Sequence, residues 1–396
     1  MKILQVIPYF PPAYIFGGPV RVAYQISKEL TNRGHEVVVY TTDAKDFHSR
    51  IKMISGNTEG IKVQYFKNIS LVFIRKLKLF ITPQVISSAR KEVKKFDLIH
   101  LHEYRSFQNV IIHHYAHKWK IPYILQAHGS IPRIGSWKKL KIIYDIFFGY
   151  RLLRDASKVI ALSRFEAEQY RRMGVPKDKV VIIPNGIDLS EYSNLPPKGF
   201  FKNKYNIPEE KKIILYLGRI HRIKGIDFLI KAYAYLTEEI GYKDAILIIA
   251  GPDDGYLNEA KTLTKTLNIE DSVMFTGPLY GRDKLEAYVD AEFYVLPSRY
   301  ETFPMTVLET YACAKPVIAS NLGGLKDLVL NGETGLLFET GNFRQLAENM
   351  FYLLNNEEKT LEIGLNGRAF VEKNFSIERV VDNLERLYNE VVLERR

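Results

Sequence analysis

What most restricts the folds open to this chain is an alternation of short apolar, β-branched runs with helical stretches, joined by loops carrying Gly, Pro and Asn. Residues 2–7 read as a first strand. Pro8-Tyr-Phe-Pro-Pro12 then leads to a loop ending at Gly17 and Gly18, Pro19 opens a helix to about residue 31, and Gly34 stops it before a strand at 36–41. Strand, helix and strand in that order imply a parallel sheet with a right-handed crossover. The pattern returns at 97–102, 122–130, 158–163 and 179–188, then at 212–217, 245–251, 273–277 and 291–297. From Asn342 onward it is helical, and it ends in a helix over about 377–393.

A chain of 396 residues is long enough for two domains, each with a core of its own. Tyr192-Ser-Asn-Leu-Pro-Pro-Lys-Gly199 has the composition of a linker. It divides an N-terminal parallel-sheet domain at 1–190 from a C-terminal one at 200–375, with 376–396 as a closing helix. The lone Cys313 rules out an intramolecular disulfide and suits the cytosol. No apolar run approaches the ~20 residues of a transmembrane helix, and the first residues read as a strand rather than a signal peptide.

Charge is unevenly divided. The total is +11, but residues 1–180 carry 31 Lys and Arg against 13 Asp and Glu, leaving 25 against 32 for the rest. A basic half of this kind marks an anionic partner of one domain. Two segments concentrate it, at 67–80 and 133–154. The second sets Trp137, Tyr144, Phe147, Phe148 and Tyr150 beside Lys138, Lys139, Lys141, Arg151 and Arg154, as suits a helix on an anionic bilayer. An ordinary surface helix with its apolar face in the core is the alternative. No nucleic-acid motif is present.

Ser298-Arg-Tyr-Glu-Thr-Phe-Pro-Met-Thr-Val-Leu-Glu309 places Glu301 in the turn before a helix and Glu309 inside it, with Pro304 in the first turn. On one helix the two would lie about 12 Å apart along the axis, too far to share a proton but suited to two parts of a long ligand. Between them the amides of Phe303 to Thr306 open a helix, a place that attracts phosphate. Hydroxyls at both ends and phosphate in the middle describe a nucleotide sugar. Two unrelated surface glutamates would give the same spacing.

Arg219 and Lys224, in the loop Gly218-Arg-Ile-His-Arg-Ile-Lys-Gly225, stand between a strand end and a helix start, where a phosphate would sit. Solvated loop cations are the plainer reading. His100, His102 and His128 end two strands at the edge where open α/β sheets bind ligands, and no carboxylate stands at a zinc-like spacing from them. Gly17 and Gly18 let backbone approach a ligand, although the loop has no G-x-G-x-x-G. Gly277 closes a strand whose loop would hold a nucleoside base. Asn185, in Pro184-Asn-Gly-Ile-Asp188, faces a ligand or simply forms a turn.

Taken together, the Pro-Ser and E-x7-E stretch with the following Ala312-Cys-Ala-Lys-Pro-Val-Ile-Ala-Ser320, the Gly-Arg-x-x-x-x-Lys-Gly loop, Ala127-His-Gly129 and Pro-Asn-Gly-Ile-Asp resemble retaining glycosyltransferases of the GT-B fold, in glycosyltransferase family 4 (glycosyl transferases group 1). The resemblance spans nearly the whole chain and implies two Rossmann-like parallel-sheet domains facing a central cleft. Donor-binding residues would be Gly17, Gly18, Asn185, Arg219, Lys224, Gly277, Glu301, Phe303, Pro304, Met305, Thr306 and Glu309. Within that set Glu309 would hold the ribose and Glu301 the donor sugar, while Arg219 and Lys224 grip the diphosphate. His128 would contact the sugar from the opposite domain, and with Glu301, Arg219 and Lys224 it makes up the catalytic group. The closing helix would pack back on the first domain.

The implied donor is a UDP- or GDP-hexose, and the acceptor a saccharide or lipid-linked glycan of cell-envelope biosynthesis. Retention would come from attack on the face of departure. No Asp-x-Asp is present to hold a divalent metal, so fixed cations and a helix terminus would neutralise the leaving group without a cofactor. Pro304 departs from the glycine found in many members and offers no N–H, which leaves Met305 and Thr306 to make that contact. Two other classes fit the same residues: a nucleotide-sugar epimerase of similar fold, and a non-catalytic protein that binds nucleotide sugars or nucleic acid.

Overall fold

In the computed structural model, which describes residues 1–135 and 137–394, the chain divides into two compact units. The first comprises Met1–Ile187 and Ile377–Arg396, the second Asp188–Ser376. The division precedes the linker-like stretch, whose first residue, Tyr192, is buried in the second unit.

The first unit is built on an eight-stranded sheet of β1 (Lys2–Val6), β2 (Glu36–Thr42), β3 (Ser55–Thr58), β4 (Ile61–Phe66), β5 (Leu98–His102), β6 (Tyr123–Gln126), β7 (Lys158–Ala161) and β8 (Val180–Ile182). Their order across the sheet is β3-β4-β2-β1-β5-β6-β7-β8. All neighbours run parallel except the β3–β4 hairpin at one edge. With helices on both faces, the central strands are buried throughout, so they read as continuous apolar runs. Of the hairpin, β3 (Ser-Gly-Asn-Thr) is largely exposed and has no large apolar residue, which hides it from an apolar-run reading, while β4 turns Ile61, Val63 and Tyr65 inward. Ile377–Leu393, the last helix, turns Val380, Val381, Leu384, Leu387 and Tyr388 inward. Gly186 is required there by closeness rather than conformation, since a Cβ would lie 2.9 Å from the Cα of Ile377.

The two basic segments differ from a simple amphipathic helix. In 67–80 only Leu71–Leu77 is helical, capped by the Ser70 hydroxyl on the amide of Val72. The other runs as a helix from Lys138 to Asp155, interrupted by a π-turn over Asp145–Gly149. That turn carries Asp145 into the interior, where Arg105 and Arg133 meet it. Its outer face keeps Trp137, Ile146 and Phe147 more than half exposed, at 52, 60 and 65%.

The second unit has six parallel strands, β9 (Lys212–Leu217), β10 (Ala245–Ala250), β11 (Val273–Gly277), β12 (Ala291–Leu296), β13 (Val317–Ser320) and β14 (Gly335–Phe338). Their order is β11-β10-β9-β12-β13-β14, so β9 and β12 lie side by side at its centre. The loops after them carry the two sequence motifs of this half, and adjacency brings those loops together.

Candidate active site

In the second unit the loop after β9 is pressed onto the end of β12. Gly225 makes this possible: its φ is +69°, and a Cβ would lie 1.9 Å from the carbonyl oxygen of Pro297. The seam is closed by Arg299, whose amide donates to the Ile223 carbonyl and whose guanidinium forks onto Asp227 at 2.7 and 2.6 Å. Lys224 is thereby placed 2.6 Å from Glu301, and Ser298 donates to the same oxygen at 2.7 Å. Both contacts fall on Oε1 of Glu301. Oε2 has no partner among the described residues and remains for a ligand.

Arg219 behaves differently from Lys224. It stays at the surface, 48% exposed against 19%, paired with Asp254 at 2.6 Å. It therefore joins the loop but not the Glu301 cluster. Glu309, inside the helix Met305–Ala312, is buried and meets two side chains of the helix Gly281–Asp290: Lys284 at 2.8 Å and Tyr288 at 3.1 Å. One turn of helix separates Lys284 and Tyr288, which brings both onto one face. Each glutamate of the E-x7-E motif is thus held by a lysine.

Pro304 proves to be the residue before the helix rather than its first member. Its ψ of 123° is extended, and the helix begins at Met305. Phe303 and Met305 are buried, Phe303 edge-on to Phe375, so their side chains belong to the core and only their backbone can reach a ligand. The hydroxyl of Thr306 accepts a hydrogen bond from Tyr294 at 2.9 Å. Gly277 ends β11 with φ +77°, and its carbonyl accepts from the amide of Gly251 at 2.8 Å.

In the first unit the ends of β1, β5 and β6 collect the remaining candidates. Gly17 has φ +95° and precedes the helix Gly18–Asn32, with open space where a Cβ would be. His100 and His102 stack with ring centres 4.1 Å apart, and His102 stacks on His128 at 5.1 Å. Burial drives the pKa of His100 and His128 down to about 3 and that of His102 well below the ordinary imidazole value. All three are neutral near pH 7, so none supplies positive charge to a phosphate. They act through hydrogen bonds instead.

The order of those bonds sets the tautomers. If His102 donates through Nε2 to Gln5 Oε1 at 2.6 Å, its Nδ1 accepts from His128 Nε2 at 2.8 Å. His128 Nδ1 is then a lone-pair acceptor with no partner among the described residues, fit to receive a hydroxyl. His100 instead contacts Tyr388 at 2.6 Å, a structural role. Asn185 is buried, its amide oxygen 3.4 Å from Gln126. Among the described residues no group of three His, Cys, Asp or Glu is placed to hold a metal ion.

Comparison with known proteins places this arrangement. The family model described as Glycosyltransferase Family 4 matches residues 16–191, and that described as Glycosyl transferases group 1 matches residues 197–370. An uncharacterised glycosyltransferase of Methanocaldococcus jannaschii is 30% identical over 399 residues, covering 99% of both chains. The chain is a glycosyltransferase of family 4. This glycosyltransferase is also 26% identical over 386 residues to the N-acetyl-alpha-D-glucosaminyl L-malate synthase of Bacillus anthracis, covering 95% of this chain and 94% of the other. Its fold is that of the GT-B enzymes. Anabaena HepE, solved in complex with UDP and glucose, superposes with a TM-score of 0.79 at 20% identity, over 98% of this chain and 100% of that one.

Sequence reasoning passed over Ser298, Lys284, Tyr288, Asp254 and the Arg299–Asp227 clamp in this glycosyltransferase. Ser298 lies three residues from Glu301 and its hydroxyl could have been weighed. Lys284 stands 25 residues from Glu309, and only the strand order brings the two together.

Proposed function

We propose that this enzyme transfers a hexose, with retention of anomeric configuration and without a metal ion, from a nucleoside diphosphate sugar to a saccharide or lipid-linked hydroxyl. The second unit takes the donor and the first the acceptor. The observation that carries the reading is the matched pair of lysine-held glutamates, Lys224–Glu301 and Lys284–Glu309, on either side of a helix start. Glu309 addresses the ribose hydroxyls and Glu301, through Oε2, the sugar hydroxyls. Lys224 has three protons to donate, so it can keep Glu301 and still meet a phosphate oxygen. The similarly folded HepE, solved with UDP and glucose and with UDP-glucose, supports a nucleotide sugar.

In the reaction the acceptor oxygen bonds to the anomeric carbon as the bond to the diphosphate breaks. The electron pair of that bond goes to the leaving phosphate, which also takes the acceptor's proton on the same face. Arg219, Lys224 and the amides of Met305 and Thr306 offset the growing charge. The enzyme works on cytoplasmic substrates at the inner face of the membrane, held there by its basic first unit.

Thermal-shift measurement against UDP, GDP and their sugars, in EDTA, tests the donor. One base series is expected to raise the melting temperature by several degrees, since ligand at a hundred times its Kd stabilises by about 2.7 kcal/mol. No shift with either series would end the donor reading, and a shift abolished by EDTA would end the metal-free one. Conversion of the donor sugar with no acceptor present would favour an epimerase.

A further inference from the structure

At the end of β5, next to His102, stands Glu103, which no motif singled out. Its φ is +65°, a left-handed conformation that costs a non-glycine residue about 1 kcal/mol or more. The neighbours hold it there. Its amide donates to the Gln126 carbonyl at 2.9 Å, and the side-chain amide of Asn109 donates to its carbonyl at 2.7 Å. Strain fixed from both sides aims the carboxylate into the loops of the sheet edge. There the Tyr9 phenol, from the loop after β1, donates to Oε1 at 2.5 Å.

The other neighbours add little. The Ser130 hydroxyl borders the carboxylate but gives its proton to the Ala127 carbonyl at 2.5 Å. Glu166 is engaged by the amides of Gly129 and Leu162. Among the described residues no lysine, arginine or histidine forms an ion pair with Glu103, and no metal-holding group includes it. The residue as a whole is half-buried. A carboxylate has room for about four hydrogen bonds. Beside the Tyr9 phenol the ionised carboxylate has room for a further hydroxyl donor, and in that form it would repel a second anion at low local dielectric.

We propose that Glu103, oriented by Tyr9, selects the acceptor of this enzyme by accepting a hydrogen bond from an uncharged sugar or polyol hydroxyl and turning away acceptors that present phosphate or carboxylate at that point. The inference rests on the reading of the first unit as the acceptor-binding half. It sets this chain apart from the relatives named for L-malate and D-inositol 3-phosphate.

The test uses the full chain and radiolabelled UDP-glucose and GDP-mannose with two acceptor pairs that differ only in charge. These are myo-inositol against inositol 3-phosphate, and octyl β-D-glucoside against its 6-phosphate. The neutral member of at least one pair is expected to be used with a kcat/KM roughly tenfold above its partner. Glu103→Gln should narrow that ratio to roughly threefold and raise the acceptor KM about tenfold at unchanged donor KM, with Glu103→Asp in between. Preference for the charged member, transfer to no neutral member, or an unchanged ratio in Glu103→Gln would overturn the proposal. Calorimetric binding of UDP and GDP to each variant separates the two readings: it should persist throughout, and its absence from the wild type would count against the donor assignment instead.

Discussion

At the scale of single residues, the discomfort of Glu103 has a thermodynamic signature. Burial raises its pKa from 4.5 to about 7, so folding favours the protonated form. The stability this contributes is complete below about pH 4.5 and is lost as pH rises through 7. Glu103→Gln, neutral throughout, should match the wild type in urea denaturation at pH 4.5 and exceed it at pH 8. The ceiling is roughly 3 kcal/mol, less for its partial exposure. Glu166, raised to about 7 mainly by burial, titrates in both proteins and differs only by the smaller contribution of the Glu103 charge, which the substitution removes. A gap that does not grow with pH would mean the carboxylate is comfortable where it stands. Lys284 makes the converse case. Lys284→Met takes from the buried Glu309 the cation that meets it at 2.8 Å, a loss of roughly 3 kcal/mol, and should raise the donor KM at least about tenfold. Lys284→Arg should recover part of both, and an unchanged KM would make the pair purely structural. Neither residue was legible in the sequence. The glutamates of E-x7-E, His128 and Lys224 could be named as candidates, because short motifs at strand ends and helix starts keep them recognisable in sequence. Lys284 and Glu103 act through neighbours that only folding supplies.

Secondary elements were legible where burial is uniform or strictly periodic. Strands β9 and β12 and the last helix fall within a residue or so of the apolar runs that announce them. Strand β3 escaped because Ser-Gly-Asn-Thr carries no large apolar residue, whereas the basic segment at 133–154 reads as helical and differs only in the π-turn over Asp145–Gly149 that interrupts it. That break has a consequence. By turning Asp145 inward between Arg105 and Arg133, it anchors the helix through one polar point and leaves Trp137, Ile146 and Phe147 outside, among Lys138, Lys139 and Arg151. The side chains that a core would claim face solvent beside cations, as a bilayer surface requires. The full chain should sediment with vesicles containing about 30% phosphatidylserine at low salt and less so as ionic strength rises. Trp137→Ala with Phe147→Ala should reduce the bound fraction severalfold without lowering the melting temperature. Vesicle binding unaffected by the double substitution would assign membrane attachment to some other surface or to none.

For the molecule as a whole, the division into two sheet-bearing units could be read from the repeat of strand and helix, but the closing helix could not be assigned by pattern. Its seven buried residues, Ile377, Val380, Val381, Leu384, Leu387, Tyr388 and Val391, repeat every three to four positions as in any amphipathic helix. What assigns them is specific contact within the first unit. Arg33 reaches Asp382 and Glu385, both at 2.6 Å, His35 meets Glu385 at 2.6 Å, and Ile377 hydrogen-bonds Ile187 at 3.0 Å. The first unit is therefore assembled from the two ends of the chain, whereas the second is continuous. Burying one large apolar side chain is worth about 1.5–3 kcal/mol, and a domain is stable by only about 5–15 kcal/mol. Removing seven at once should be more than the first unit can bear. A chain ending at residue 376 is thus expected to keep a cooperative calorimetric transition from the second unit and lose that of the first. Residues 188–376 alone should fold and, if the donor assignment is right, give the same preference between UDP and GDP. Two intact transitions in the truncated chain would mean that the first unit closes without its last helix, and that the contacts of Arg33 and His35 are incidental to its stability.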